Sequence, residues 1–225
     1  MESLNWPDGK IAAVTLCYDG GSAEHLNVAR PLLDSLGVRA TFFLCPTLLL
    51  DDPAGWREAS EAGHELGSHS LYNVTDHGAL FTWKRSMVGE DLELTNELFQ
   101  ELFGSRPRSF ALPGWSTHCL DGDYLEVVKE RFAYVRSDRR ESNDPGSHDP
   151  KFLGSFPLDM RDEDLVVAMS VAIRQGGWVI LRCGPLTPDH GKLVRTLCWR
   201  PDVWVAPLQE VGDWVSPRNR AAMLR

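Results

Sequence analysis

The chain has 225 residues, 43% of them hydrophobic, and a formal net charge of −9 from 23 basic and 32 acidic side chains. That size suits one α/β domain (residues 1–225) able to bury a sizeable core. An acidic balance with no basic stripe argues against nucleic acid and anionic membrane as partners, because both are gripped through clustered Lys and Arg, and no run of about 18 apolar residues exists to span a bilayer.

Met1 to Lys10, MESLNWPDGK, has neither the basic start nor the apolar centre of a secretory signal, which predicts a cytoplasmic protein. The five cysteines, Cys17, Cys45, Cys119, Cys183 and Cys198, are odd in number, widely spaced and form no CxxC pair. They predict reduced thiols rather than disulfides or a structural zinc site.

The elements alternate along the chain. Ile11–Cys17 is an apolar strand ending in the turn signal YDGG. Asn27–Leu36 carries Val28, Leu32, Leu33 and Leu36 at helical spacing and stops at Gly37. Ala40–Leu44 is a second strand, Trp56–Ala62 a short helix and Glu65–Ser68 a third strand, followed by a loop from His69 to about Leu80. Met87–Phe103 is the clearest amphipathic helix, with Leu92, Leu94, Leu98, Phe99 and Leu102 as its apolar face.

Ser109–Leu112 is a strand, Tyr124–Glu130 a helix and Phe132–Arg136 a strand. The basic group Arg136, Arg139 and Arg140 runs into Glu141 and Asp144 and reads as a solvated stretch, and Arg140–Pro150 as an exposed loop. Asp162–Gln175 is a helix with acidic residues at its N-terminus. Trp178–Cys183 is a buried strand, Gly191–Trp199 a helix, Val203–Ala206 the last strand and Leu208–Val215 the last helix. Alternation of this kind implies βα units, a mainly parallel sheet and outer helices. In such folds chemistry sits at the C-terminal ends of the strands.

Four segments at strand ends stand out: Tyr18-Asp19-Gly20-Gly21, His69 to Asn73, Ala111 to Trp115, and Arg182 to Pro185. Around them VTLCYDGG (14–21) resembles the LTFDDG block of the polysaccharide deacetylases, the NodB-homology or carbohydrate esterase family 4 proteins. GVRATFFL (37–44), GHELGSHSLY (63–72), FALP (110–113) and DVWVAPLQEV (202–211) resemble further blocks in the same order, so that the likeness covers 14–215. It implies a distorted (β/α) barrel with mainly parallel strands and outer helices.

The resemblance also implies an amide hydrolase in which one Asp is the base, a second Asp and two His hold a divalent metal, and a further His is the acid. Taken position by position, Asp19 falls on the base and His69 on the first metal His. Gly20 falls on the metal-binding Asp, Asn73 on the second metal His, Gly184 on the acid, and Ala111 where an Arg often orients the base. Sliding the block by one would make Asp19 the metal ligand and Tyr18 the base; Gly21 and the aromatic Tyr18 favour the first register.

A catalytic metal needs about three protein ligands. The expectation is therefore no resident metal, with Asp19 and His69 as a metal-free acid–base pair. The alternative is a weakly bound divalent ion on Asp19, His69 and either Asn73 or His77. Tyr72, Asn73, Trp115 and Arg182 are the candidate substrate contacts, Trp115 as an aromatic wall and Arg182 as an oxyanion or anion partner. His64 reads as structural, His118, Glu24 and His25 as surface residues, and Cys183 as a thiol without an activating base.

The expected partner is a small-molecule or sugar-like substrate. Three functions compete: a repurposed isomerase, cyclase, lyase or dehydratase; a residual metal-dependent deacylase; and a non-catalytic binding module.

Overall fold

The computed structural model describes residues 6–49, 52–75, 78–114, 116–158 and 163–216. The strands are β1 (Ala12–Gly20), β2 (Thr41–Leu44), β3 (Glu65–Ser68), β4 (Ser109–Ala111), β5 (His118–Cys119), β6 (Gly122–Asp123), β7 (Tyr134–Arg136), β8 (Phe156–Pro157), β9 (Trp178–Cys183) and β10 (Val203–Val205). The α-helices are α1 (Arg30–Ser35), α2 (Pro46–Leu49), α3 (Pro53–Glu61), α4 (Arg85–Phe103), α5 (Leu125–Lys129), α6 (Glu163–Arg174), α7 (His190–Cys198) and α8 (Leu208–Val215). Among the described residues no helix is long and apolar enough to cross a membrane.

The main sheet runs β7-β4-β3-β2-β1-β9-β8 and curls into a half-barrel, with β10 beside the first half of β1. Every pairing in it is parallel. The C-terminal ends of all its strands therefore lie along one edge, which gathers residues far apart in sequence. Only β5 and β6, a short antiparallel pair, stand apart.

Strand alternation splits β1 between two cores. Ala12, Val14, Leu16 and Tyr18 pack with helix residues such as Leu33, Trp56 and Val194. Ala13 and Cys17 face the concave side with Phe43, Ala111 and Trp178. Asp19, two residues beyond Cys17, continues the concave row to the sheet edge. Gly67 belongs to the same row on β3: a Cβ there would lie 2.6 Å from the Phe43 ring and from Ser109 Oγ, so only glycine lets these groups meet.

Several expectations change. β1 extends through Gly20, which places Tyr18 and Asp19 on the strand rather than in the loop after it. The first helical segment begins as a π-helical turn over His25–Ala29, and this rotates the buried face to His25, Leu26, Ala29 and Leu33. Val28 is left exposed. On α4 the buried face is Val88, Asp91, Leu92, Thr95, Asn96 and Phe99, while Leu94 and Leu98 are exposed. A face that mixes polar with apolar residues is not marked by hydrophobic spacing.

Two-residue β8 has too short a pattern to read. In the polar loop after β7, Asn143 is buried, bridged to Trp178 and bonded through both side-chain ends to Gly154.

Candidate functional site

The site is built on the C-terminal ends of β1, β3, β4, β7 and β9. β1 contributes Asp19. Its Oδ2 accepts from Arg136 Nη2 at 2.8 Å, and its Oδ1 is buried with no hydrogen-bond partner among the described residues.

Arg136 is the principal correction to the sequence reading. It was expected in a solvated stretch, but its side chain is fully buried. Ala111 on β4 and Arg136 on β7 are register partners. The arginine that Ala111 does not provide is thus supplied by the adjacent strand. The guanidinium also donates to Asp138 Oδ1 (3.3 Å) and Ser155 Oγ (3.4 Å) and lies 5.4 Å from the centroid of the Phe43 ring. A cation this deep persists only with compensating anions and acceptors.

His69 follows β3 and is 6% exposed. Its Nδ1 lies 3.0 Å from Ala111 O. A carbonyl can only accept, so Nδ1 carries the proton and Nε2 holds the free lone pair. Burial lowers the imidazole's pKa, with Asp19 acting in the opposite sense and Arg136 in the same sense. His69 at neutral pH is therefore an uncharged acceptor. Ser68 Oγ beside it is another buried side-chain atom without a hydrogen-bond partner among the described residues.

Arg182, on the concave row of β9, reaches Asp138 Oδ1 with its Nε at 3.4 Å. Asp138 consequently lies between two guanidinium groups, and the sequence of charges is Asp19, Arg136, Asp138, Arg182. Burial lowers the Arg182 pKa, Asp138 and Asp19 oppose that shift and Arg136 adds to it.

Gly20, which the resemblance aligns with a metal-binding Asp, and Gly184, which it aligns with the acid His, border open space among the described residues. A Cβ on Gly20 or on Gly184 would meet no atom of the described residues within 4 Å. Gly20 has φ 97°, which an L-residue tolerates poorly. The Gly184 carbonyl instead accepts from His25 Nε2 at 2.7 Å.

His25, expected on the surface, is 1% exposed. It packs edge-on to Tyr18, whose hydroxyl pairs with His190 Nε2 at 2.8 Å. The π-helical turn brings it inward. Glu24 is exposed, as expected, and its carboxylate accepts from Leu186 N.

Asn73 is exposed, with φ 49°, and Tyr72 is 59% exposed with its ring 6.1 Å from Trp83. These two are exposed, whereas Asp19 and Arg182 are half-buried and His69 is buried. Trp115 and His77 fall outside the described residues. His64 is structural as expected: Nδ1 accepts from Ala40 N and Nε2 donates to Asp34. His118 is exposed. Burial raises the Cys183 thiol to about 12, far from a nucleophile's range. Among the described residues no three His, Cys, Asp or Glu side chains converge to hold a metal ion.

A family model described as polysaccharide deacetylase matches residues 7–130. The Bacillus subtilis (strain 168) protein YlxY, itself uncharacterised, is 33% identical over 110 residues, 49% of this chain and 33% of that protein. The chain thus spans about a third of that relative's length. Among solved structures, PuuE allantoinase superposes with a TM-score of 0.69 at 15% identity over 97% of this chain and 95% of its own. A mutant of BA3943, a family 4 carbohydrate esterase pseudoenzyme with restored enzymatic activity, superposes with a TM-score of 0.61 at 17% identity over 91% and 68%. These two likenesses concern the fold.

Proposed function

The chain belongs to the polysaccharide deacetylase family, and from that premise we propose that it is a repurposed member, a metal-independent acid–base catalyst acting on a small metabolite or sugar-like molecule. The observation that carries this reading is the Asp19 carboxylate. One of its oxygens is tied to a buried guanidinium and the other has no hydrogen-bond partner among the described residues, while the carboxylate acts electrostatically on the buried His69.

The donor set does not fit a tightly held divalent ion. Gly20 brings no donor atom, Asn73 brings an exposed amide, and a catalytic metal takes about three protein ligands. What remains is proton chemistry. Asp19 keeps Oδ1 clear of the Arg136 contact made by Oδ2, so that oxygen is the one we assign as base. Its Oδ1 takes a proton from the substrate. His69 Nε2 accepts a hydrogen bond from a substrate hydroxyl or amine, and the proton taken up by Asp19 returns from the same carboxyl to another substrate atom. Arg182 is placed to bind the negative charge that develops when the first proton leaves. Removal and return of protons without an ion suits an isomerase, cyclase, lyase or dehydratase.

A second reading keeps the cleft and drops the chemistry. The open space beside Gly20 and Gly184 would receive a ligand without turning it over, and a pseudoenzyme of this fold is known from the BA3943 comparison.

The test is a turnover screen on N-acetyl amino sugars and small hydroxy or keto metabolites, run with chelator and with added zinc or cobalt. Activity that survives chelator and falls by about 10²–10⁴ in Asp19→Asn is the expected result. Activity that requires added metal would overturn the proposal in favour of a metal-dependent deacylase. Ligand binding without turnover in either condition would favour the binding module.

A further inference from the structure

Asp91 lies in the middle of α4 and is 4% exposed. Both of its oxygens leave the helix for the loop that follows His69: Oδ2 accepts from Leu71 N at 3.1 Å and Oδ1 from Tyr72 N at 3.2 Å. The other side of Leu71 is held as well, since its carbonyl accepts from Cys45 Sγ (2.9 Å) and Thr47 Oγ1 (2.8 Å). The residues bracketing this clamp are left-handed without being glycine, Ser70 at φ 63° and Asn73 at φ 49°. Asn73 N closes the turn by donating to Ser70 Oγ at 2.8 Å. Non-glycine residues hold that conformation only where their surroundings over-determine it.

Asp91 is a poor choice for stability alone. Aspartate disfavours a helix interior, and burial raises this carboxyl above its ordinary value despite the two amides that lower it. Its ionised form therefore costs the folded state free energy at neutral pH.

We propose that Asp91 is a positioning residue for the cleft, fixing the Leu71–Tyr72 backbone so that the turn from Ser70 to Asn73 keeps its left-handed shape and Tyr72 stands against Trp83. This rests on the reading of the cleft as a working site only for its effect on turnover; the structural link is read without substrate. Through this contact α4, which contributes no group to the proton chemistry, sets the shape of that turn.

The test uses the full chain in solution, following the ¹H–¹⁵N signals of Leu71 and Tyr72 through an acid titration and the nuclear Overhauser contact between the Tyr72 and Trp83 rings. In the wild type both amides shift together at one midpoint above the ordinary aspartate range. In Asp91→Asn that shared titration disappears and the Tyr72–Trp83 contact weakens severalfold; the thermal midpoint falls too, since one oxygen that accepted an amide becomes a donor facing it. Amides that do not titrate together in the wild type, or ring contacts unchanged in Asp91→Asn, would overturn the proposal. If the variant does not fold, the wild-type titration decides alone. Turnover is not the readout, so an active Asp19→Asn enzyme would refute the acid–base reading and leave this result standing.

Discussion

At the scale of single residues, the site depends on charges that cannot be removed one at a time. Arg136 has no exposed side-chain surface and faces two carboxylates, Asp19 and Asp138. Replacing it with methionine keeps much of the volume and deletes the cation, so both carboxylates lose a charged partner in a partly dry site. Breaking a buried pair from one side costs about 3–5 kcal/mol. Arg136→Met is therefore expected to lower the urea unfolding free energy by about that amount. A loss under 1 kcal/mol would mean that Asp19 does not depend on this pair. Arg136→Lys is expected to be only a partial remedy, because one ammonium cannot reproduce the fork that reaches Asp19, Asp138 and Ser155 together.

At the scale of elements, the same parallel pairing that exposes the site at one end of the sheet seals the other end. Glu65 begins β3 and is buried. It accepts from Thr41 Oγ1 on β2, from Ser109 Oγ on β4 and from Gln209 N in the first turn of α8. Thr41 Oγ1 in turn accepts from Leu208 N. A carboxylate at a helix N-terminus answers both its free amides and its dipole. In Glu65→Gln one acceptor becomes a donor facing other donors. The expected cost is about 1–3 kcal/mol, with faster hydrogen exchange in α8 than in β1; uniform exchange through the molecule would count against a local role.

These elements also show what could be read beforehand. β1, β2 and β9 announce themselves by apolar runs, β3 (Glu65–Ser68) is barely visible, and the ordered blocks around Asp19 and His69 identified the fold. Arg136 was hidden because a lone arginine ending a three-residue strand and leading into a polar run has the pattern of a solvated chain. Its meaning comes from lying opposite Ala111, and that register is a property of the β4–β7 pairing. His25 was hidden because a π-helical turn shifts the helical phase, and Asp91 because a carboxylate on a buried helix face contradicts the hydrophobic pattern that sequence reading follows.

At the scale of the whole molecule, four buried histidines couple folding to pH. Burial lowers the pKa of His25, His64, His69 and His190, and it is the largest cause in each case. In the unfolded chain each would titrate near its ordinary value of about 6.5. As pH falls through that value the unfolded state takes up protons that the folded state refuses, so stability is complete above about pH 6.5 and is lost on acidification toward the folded values. Each imidazole contributes a slope of at most about 1.4 kcal/mol per pH unit.

Two effects oppose this. Glu65, Asp91 and Glu210 have raised pKa values, so their ionised forms cost stability that is regained as pH falls through their folded pKa values. Acidification also carries the net charge of −9 toward zero near the sequence pI of about 5.2, which relieves self-repulsion. There are three such carboxyls against four imidazoles, and they start from the carboxylate range, so between pH 7 and 6 the histidines dominate. Urea midpoints measured at constant ionic strength should therefore fall from pH 7 to pH 6, with the loss shrinking in His190→Gln because one of the four groups is gone. A midpoint that rises over that interval would show that surface charge relief outweighs the buried imidazoles.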